Sequence, residues 1–256
     1  MHHYLSSTRS AYYGAITALP LLLVYEALLA LGGSGPRGQV RNGADVWLRD
    51  LLASLEIQPT HATLVMILAV VIAIPLLRRD GITFKPGYAL AMFGESLVYS
   101  LFLGLVISMV LQFVLFPLTL AMPGALPAMP AAGTALSASD TLLAFPANMG
   151  VTQSIALSLG AGLFEEFMFR VLLLGGLLAF TKTFMPVNLA AVFSIVLAAL
   201  LFAAAHHVGS LGEPFILRVF LFRFVAGLIF TGLYYLRGFG VTALSHALYD
   251  IRVIVF

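Results

Sequence analysis

The chain has 256 residues, of which 61% are hydrophobic and only 9% are charged. A soluble domain is near half apolar and about a quarter charged, so this composition excludes a soluble enzyme, a disordered chain and a nucleic-acid-binding module. The formal charge of +2 is too small to indicate an acidic partner. Cysteine is absent, which excludes disulfides, thiolate metal sites and a cysteine nucleophile. A polytopic membrane protein remains.

Seven apolar runs dominate the sequence and set the predicted fold. A run of about 20 apolar residues can cross a bilayer as a helix, which satisfies its backbone hydrogen bonds internally. We therefore predict an all-α fold, a polytopic integral membrane protein with about seven transmembrane helices. We expect the first run to be a retained helix, because it is too long for the apolar part of a signal peptide. The runs are Tyr12 to Leu31, Ala62 to Leu77, Tyr88 to Leu115, Val151 to Phe180, Val187 to His206, Phe215 to Leu236 and Val241 to Phe256.

Residues 46–55 lie between the first two runs and have an amphipathic pattern. At helical spacing one face is apolar, while Arg49, Asp50 and Ser54 lie elsewhere. This pattern predicts a short helix lying in the membrane interface with Trp47 as its anchor, and a soluble cap helix is the alternative. The apolar face consists of Leu48, Leu51, Leu52 and Leu55.

Basic residues between the runs predict the orientation of the chain. If the spans alternate in direction, the connections on one side of the membrane carry more basic residues than those on the other side. Acidic residues offset the basic residues on the poorer side. The positive-inside rule then places the N-terminus in the cytoplasm, and we expect the plasma membrane of a bacterium or an archaeon. The longest connection, residues 117–150, is rich in Pro and Ala and contains no Lys or Arg. The richer side carries Arg9, Arg78, Arg79, Lys85, Lys182 and Arg237, and the other carries Arg37, Arg41 and Arg49.

The fourth run contains the first of three polar clusters that are costly inside a membrane and are therefore candidates for function. Glu166 and Arg170 are four residues apart, so they share a helical face and can pair. Glu165 points about 100° away from Glu166 and is free for another partner. The alternative is a buried Glu–Arg pair that only fixes helix packing, with Glu165 facing water.

The other two clusters are rich in histidine. His206 and His207 follow three alanines and Phe202, and these small residues allow another helix or a substrate to approach closely. An interfacial histidine is the alternative there. His246 and Asp250 are four residues apart, so Asp250 can hold one imidazole nitrogen and fix which nitrogen faces the site. Alternatively, Asp250 pairs with a nearby arginine.

Together the clusters supply the groups that activate water for hydrolysis. In one arrangement Glu165, His206 and His246 bind a divalent metal such as zinc, because two His and one Glu form a catalytic zinc set. In the other, which lacks a metal, Glu165 is the general base for a water that His206 also holds. His246 and Asp250 then stabilise the oxyanion. The spacing leaves both arrangements open.

The predicted topology constrains how these groups can meet. Under strict alternation His206 ends the fifth run on the outer side, whereas His246 lies near the inner start of the seventh. Both can reach Glu165 only if the fifth helix continues past His207 and the seventh begins before Val241, or if the helices tilt around a water-filled cavity.

Three motifs in residues 150–256 resemble the signature of the CAAX-processing and bacteriocin-processing (CPBP or Abi) intramembrane proteases, which include the type II CAAX prenyl endopeptidases. Their spacing is regular, with 41 positions from residue 165 to 206 and 40 from residue 206 to 246. The motifs are Glu165-Glu166-x-x-x-Arg170, Phe202-x-x-x-His206 and His246-x-x-x-Asp250.

The resemblance implies a role for each motif residue. Val171 departs from the family pattern, where a small residue such as Gly is expected, and so does Asp250, which stands in place of Asn. An ionised Asp only accepts hydrogen bonds, so Asp250 is better suited to orienting His246 than to donating to an oxyanion. The implied catalytic residues are Glu165, His206, His246 and Asp250, and the implied structural residues are Glu166, Arg170 and Phe202.

The resemblance therefore implies an intramembrane endopeptidase, a hydrolase that is either glutamate-dependent or metal-dependent. Its partners would be membrane lipid and a peptide or protein substrate, prenylated or not, and no nucleic acid. We expect one integrated membrane domain, with N-terminal helices in residues 1–149 and a catalytic helical core in residues 150–256. A proton-coupled transporter that uses intramembrane carboxylates as relay or substrate sites, and a non-catalytic scaffold or immunity protein, are the alternatives. The carboxylates of the transporter alternative are Glu26, Glu95, Glu165 and Asp250.

Overall fold

The computed structural model of the chain describes residues 2–32, 40–78, 82–121, 149–209 and 212–255, with the backbone alone described over 114–121. The predicted loop at 117–150 lies outside the described residues except at its ends, and its first residues continue a helix to Ala121. All regular structure in the described ranges is helical, which confirms the predicted all-α class.

The described ranges are built from helices of 5 to 39 residues. The fourth apolar run is continuous from Val151 to Thr181 but changes from α-helix to π-helix and back. The α-helices are α1 His2–Thr8, α2 Ala11–Gly32, α3 Gly43–Ser54, α4 Pro59–Leu77, α5 Pro86–Ala121, α6 Val151–Gly160, α7 Gly175–Thr181, α8 Val187–Ala205 and α9 Leu217–Val255, and the π-helical segments are Ala161–Glu165 and Phe167–Leu174.

The described residues contain five helices that are long and apolar enough to cross a membrane: α2, α4, the Pro86–Phe113 part of α5, α8 and α9. The chain is therefore an integral membrane protein, but the predicted count of seven spans is not confirmed. Two features explain the difference. The fourth run is divided by its π-helical turns, and the sixth and seventh runs join into α9.

Gly238 divides α9 into two helical parts, residues 217–237 and 239–255. Its backbone has φ 78° and ψ 178°, which is outside the helical range and which L side chains rarely adopt. A Cβ at this position would also meet the backbone carbonyl of Arg9 at 2.5 Å. The break therefore lies at the boundary that the sequence predicted between the sixth and seventh runs.

The largest buried core joins the N-terminal helices to the π-helical region. Tyr25 and Leu29 of α2 pack with Leu163 and Phe164 and with Ala243 of α9. The Tyr25 and Phe164 rings meet edge to face, with 5.3 Å between their centroids. This packing fixes the π-helical segment against α2 and α9.

The predicted amphipathic helix is present as α3, which begins at Gly43. Leu48 and Leu52 pack against the core, whereas Leu51 and Leu55 are exposed. The apolar face is thus divided between the core and the exposed surface, and the location of α3 in the membrane interface stays a prediction.

Glu26, one of the intramembrane carboxylates behind the transporter alternative, belongs to an ion-pair cluster. Its carboxylate oxygens lie 2.9 and 3.0 Å from the two Nη atoms of Arg41, and 2.6 Å from Arg49 Nη2. Asp45 binds the same two arginines at 2.9 and 2.7 Å. The cluster ties α2 to the beginning of α3.

Glu95 on α5 has a comparable set of partners. Arg237 Nη2 donates to Glu95 at 2.7 Å, and the hydroxyls of Tyr4 and Tyr99 donate to it at 2.8 Å each. Burial and the adjacent carboxylate raise the pKa of Tyr4 to about 12, so its hydroxyl stays protonated and able to donate. This cluster holds α1, α5 and α9 together.

Candidate active site

The four residues predicted to be catalytic line one cavity of about 470 Å³. Glu165 comes from the first π-helical segment, His206 from the end of α8, and His246 and Asp250 from the second part of α9. Of the two conditions expected from the topology, one is met: α8 ends at Ala205 and does not continue past His207, whereas the second part of α9 begins at residue 239, before Val241. The cavity wall also includes Trp47 and Asp50 of α3 and the side chains of Asn42 and Arg223.

Glu165 and His206 face each other across this cavity. His206 Nδ1 lies 2.9 Å from the backbone carbonyl oxygen of Phe202. A carbonyl only accepts, so Nδ1 is the donor in this contact, and Nε2 is the nitrogen that faces the cavity. Nε2 lies 3.8 Å from Glu165 Oε2, which is beyond direct hydrogen-bond distance. One water molecule about 2.8 Å from each atom could contact both, off the line that joins them.

His246 is held by Glu166. Its Nδ1 lies 2.7 Å from Glu166 Oε1, and the ring stacks on Phe230 with 4.4 Å between centroids. Asp250 Oδ2 lies 3.6 Å from the other nitrogen, Nε2, which is too far for a hydrogen bond. The structure therefore differs from the sequence-based expectation, because Glu166 and not Asp250 makes the hydrogen bond that orients His246.

The predicted pair of Glu166 and Arg170 is present, with 3.1 Å between Oε2 and Nε. The Arg170 guanidinium lies 4.4 Å from the centroid of the Phe202 ring and 5.5 Å from that of Phe230. Glu166 thus faces Arg170 with one oxygen and His246 with the other. Phe202 contributes both a ring over Arg170 and the carbonyl that orients His206.

Asn42 is a residue of the site that the sequence argument missed. Its Nδ2 donates to Glu165 Oε1 at 2.9 Å, across 123 positions of sequence. Its Oδ1 accepts from the backbone N–H of Ala44, so Asn42 is also the N-cap of α3. An Asn before an amphipathic stretch is a helix-start signal. That signal locates α3 but does not reveal the distant carboxylate.

Glu213 and Arg223 form an ion pair near the mouth of the cavity, with 2.7 Å between Arg223 Nη2 and Glu213 Oε1. Both residues line the cavity, and the backbone carbonyl of Glu213 also lies 3.1 Å from His207 Nδ1. His207 therefore points to the loop after α8, whereas its neighbour His206 points to Glu165.

The predicted metal site, with Glu165, His206 and His246 as ligands, does not fit the positions of these side chains. Within the described ranges, no group of three His, Asp or Glu side chains is arranged to hold a metal ion. His246 Nδ1 is occupied by Glu166, which leaves its Nε2 as the nitrogen able to serve as a ligand.

Fold and site together define an integral membrane protein with a polar cavity lined by carboxylate and imidazole groups. Residues 147–252 match the family model described as Rce1-like, type II CAAX prenyl endopeptidase. The resemblance drawn from the three motifs is thereby confirmed for this part of the chain. No curated protein and no solved structure matches the chain. Asn42 and the rest of α3 lie outside the matched residues.

Proposed function

We propose that this protein is a membrane endopeptidase that hydrolyses a peptide bond in a substrate held at or within the bilayer. The observation that carries the proposal is the convergence of Glu165 and His206 on one cavity, with 3.8 Å between the carboxylate oxygen and the free imidazole nitrogen. This pair is placed to hold and deprotonate a water molecule, and the family match supplies the reaction class.

In the first step Glu165 takes a proton from the water, whose other hydrogen bond goes to His206 Nε2. The resulting hydroxide oxygen attacks the carbonyl carbon of the scissile peptide bond, and the carbonyl oxygen becomes an oxyanion. Glu165 then returns the proton to the leaving nitrogen as the C–N bond breaks, giving a carboxylic acid and an amine, and proton transfer from the acid to the amine leaves a carboxylate and an ammonium group. A general base of this kind contributes about 10²- to 10⁴-fold to the rate.

His246 is the proposed donor to the oxyanion. Each of its ring nitrogens faces a carboxylate, at 2.7 Å on Nδ1 and 3.6 Å on Nε2. A ring that carries both protons suits this pair of acceptors, although only the Nδ1 contact is a hydrogen bond. Asp250 is too far from Nε2 to engage its proton fully, so Nε2–H remains available to a substrate oxygen.

The transporter alternative loses its main support. It drew on Glu26 and Glu95, which the protease interpretation of the sequence left unexplained. Both carboxylates are engaged by arginines within hydrogen-bond distance. They are accounted for as structural ion pairs between helices, so no second function is proposed.

The proposal is tested by incubating the reconstituted protein with a detergent extract of bacterial membranes and with synthetic C-terminal peptides, prenylated and unprenylated. New amino termini are then labelled chemically and identified by mass spectrometry. We expect new termini with the unmodified protein and none with Glu165→Gln. The same set of termini in both samples would contradict the proposal.

A further inference from the structure

The N-terminal part of the chain contributes a side chain to the site. Asn42 lies at the start of α3, outside the family match to residues 147–252, and its amide nitrogen is 2.9 Å from Glu165 Oε1. Another polar neighbour of this carboxylate is His206 at the end of α8, whose Nε2 lies 3.8 Å from Glu165 Oε2. The position of Glu165 therefore depends on a residue that the matched region does not contain.

The direction of the Asn42 amide is fixed by two further contacts. Its Oδ1 accepts from Ala44 N at 2.9 Å, so Nδ2 is the amide atom that faces Glu165. Its backbone N–H donates to the Tyr25 hydroxyl at 3.2 Å, and that hydroxyl donates to Asp45 at 2.8 Å. Helix capping and the ion-pair cluster around Asp45 thus hold the amide in place.

Gly160 makes this approach possible. A Cβ at residue 160 would lie 2.7 Å from a ring carbon of Tyr25 and 3.0 Å from the Cβ of Asn42. The helix that carries Glu165 therefore passes against Tyr25 and Asn42 at a point where a larger side chain would force them apart. In the sequence, Gly160 precedes Glu165, the glutamate that Asn42 contacts, by about one turn of the helix.

We propose that Asn42 is a positioning residue, which holds Glu165 Oε1 so that Oε2 faces His206 and the water between them. The inference rests on the function proposed above. With Oε1 engaged, rotation of the carboxylate is restrained, and Oε2 is the oxygen left to act as base. Misplacement of a reacting group by about 1 Å can cost about 100-fold in rate.

The test is Asn42→Asp, measured on a peptide that the unmodified protein cleaves. Asp caps a helix as well as Asn does, so α3 keeps its start. The substitution replaces the N–H donor with a second carboxylate beside Glu165. We expect kcat to fall about 100-fold, KM to stay within about twofold, and the thermal unfolding midpoint of the reconstituted protein to be unchanged.

Two companion variants separate the possible causes. Asn42→Ser keeps a capping oxygen but removes the amide without adding charge, and we expect kcat to fall there as well, by a smaller factor. Asn188→Asp adds the same charge at an exposed position on α8, and we expect kcat to be unchanged.

Unchanged kcat in folded Asn42→Asp or Asn42→Ser, with the unmodified protein active, would overturn this inference and leave the proposed function standing. If Asn42→Asp does not fold, Asn42→Ser decides alone. Cleavage that persists in Glu165→Gln would instead overturn the proposed function itself.

Discussion

Glu166 illustrates how two adjacent glutamates can serve different purposes. It is fully buried, and its two oxygens face Arg170 and His246, whereas Glu165 is partly accessible from the cavity. A buried carboxylate with two partners is expensive to remove, because the partners are then left without it. Glu166 therefore contributes both to the buried ion pair with Arg170 and to the orientation of the His246 imidazole.

Replacing Glu166 by Ala should reduce both stability and activity. Loss of one partner from a buried ion pair typically costs about 3 to 5 kcal/mol, here because Arg170 would stay buried without its carboxylate. Thermal unfolding of the reconstituted protein measures this change. Glu56→Ala serves as the control, because Glu56 is exposed and we expect no comparable shift. An unfolding midpoint unchanged by Glu166→Ala would argue against this account of the pair.

The two neighbouring histidines offer a matched comparison. His206 lines the cavity and faces Glu165, whereas His207 contacts the Glu213 carbonyl instead. We expect His206→Ala to lower kcat by about 100-fold or more, because the proposed water loses one of its two hydrogen-bond partners. His207→Ala should lower it far less. Equal losses in the two variants, measured as initial cleavage rates, would show that the proposed assignment is wrong.

The π-helical region places Glu165 through close packing against α9. π-helical turns are rare and are frequently found at functional sites. At Gly162, a Cβ would overlap the backbone carbonyl oxygen of Ala243 and lie 2.7 Å from the Cβ of Ala247. The helix that carries Glu165 and the helix that carries His246 can therefore approach only because residue 162 has no side chain.

Gly162→Ala should accordingly lower both the unfolding midpoint and kcat. The new Cβ would clash with backbone atoms of α9, which cannot rotate away as a side chain can. Gly176→Ala is the matched control, because a Cβ there meets nothing within 4 Å. In that helix the alanine should stabilise by up to about 1 kcal/mol. Equal effects of the two substitutions on thermal unfolding would contradict the packing account.

Across the whole molecule, the sequence predicted the membrane class and the helical elements, because long apolar runs are local signals. It also predicted four of the residues that line the cavity, because polar residues within apolar runs are local signals too. The predicted count of seven spans stays unconfirmed, since the sixth and seventh runs form one element, α9, which Gly238 divides into two helical parts. The sequence also missed the contacts that join distant residues. Glu166 and His246 are 80 positions apart, and Asn42 and Glu165 are 123 apart. Such pairs are set by tertiary packing, which no local pattern encodes.

The metal-free account makes a prediction for the intact protein. Because the described carboxylates and imidazoles do not converge as a set of three ligands, cleavage should persist after dialysis against a chelator. Elemental analysis of the purified protein should find less than one equivalent of zinc. Loss of activity on chelation, restored by added zinc, would show that the metal arrangement is the correct one.

The most direct measurement is the rate constant kcat for one identified peptide, compared between the unmodified protein and Glu165→Gln after reconstitution in the same lipid. Gln keeps the size of the side chain and removes its basicity. The account predicts a fall in kcat of at least about 100-fold with an unchanged unfolding midpoint. A Glu165→Gln protein that cleaves the peptide at the original rate would contradict it.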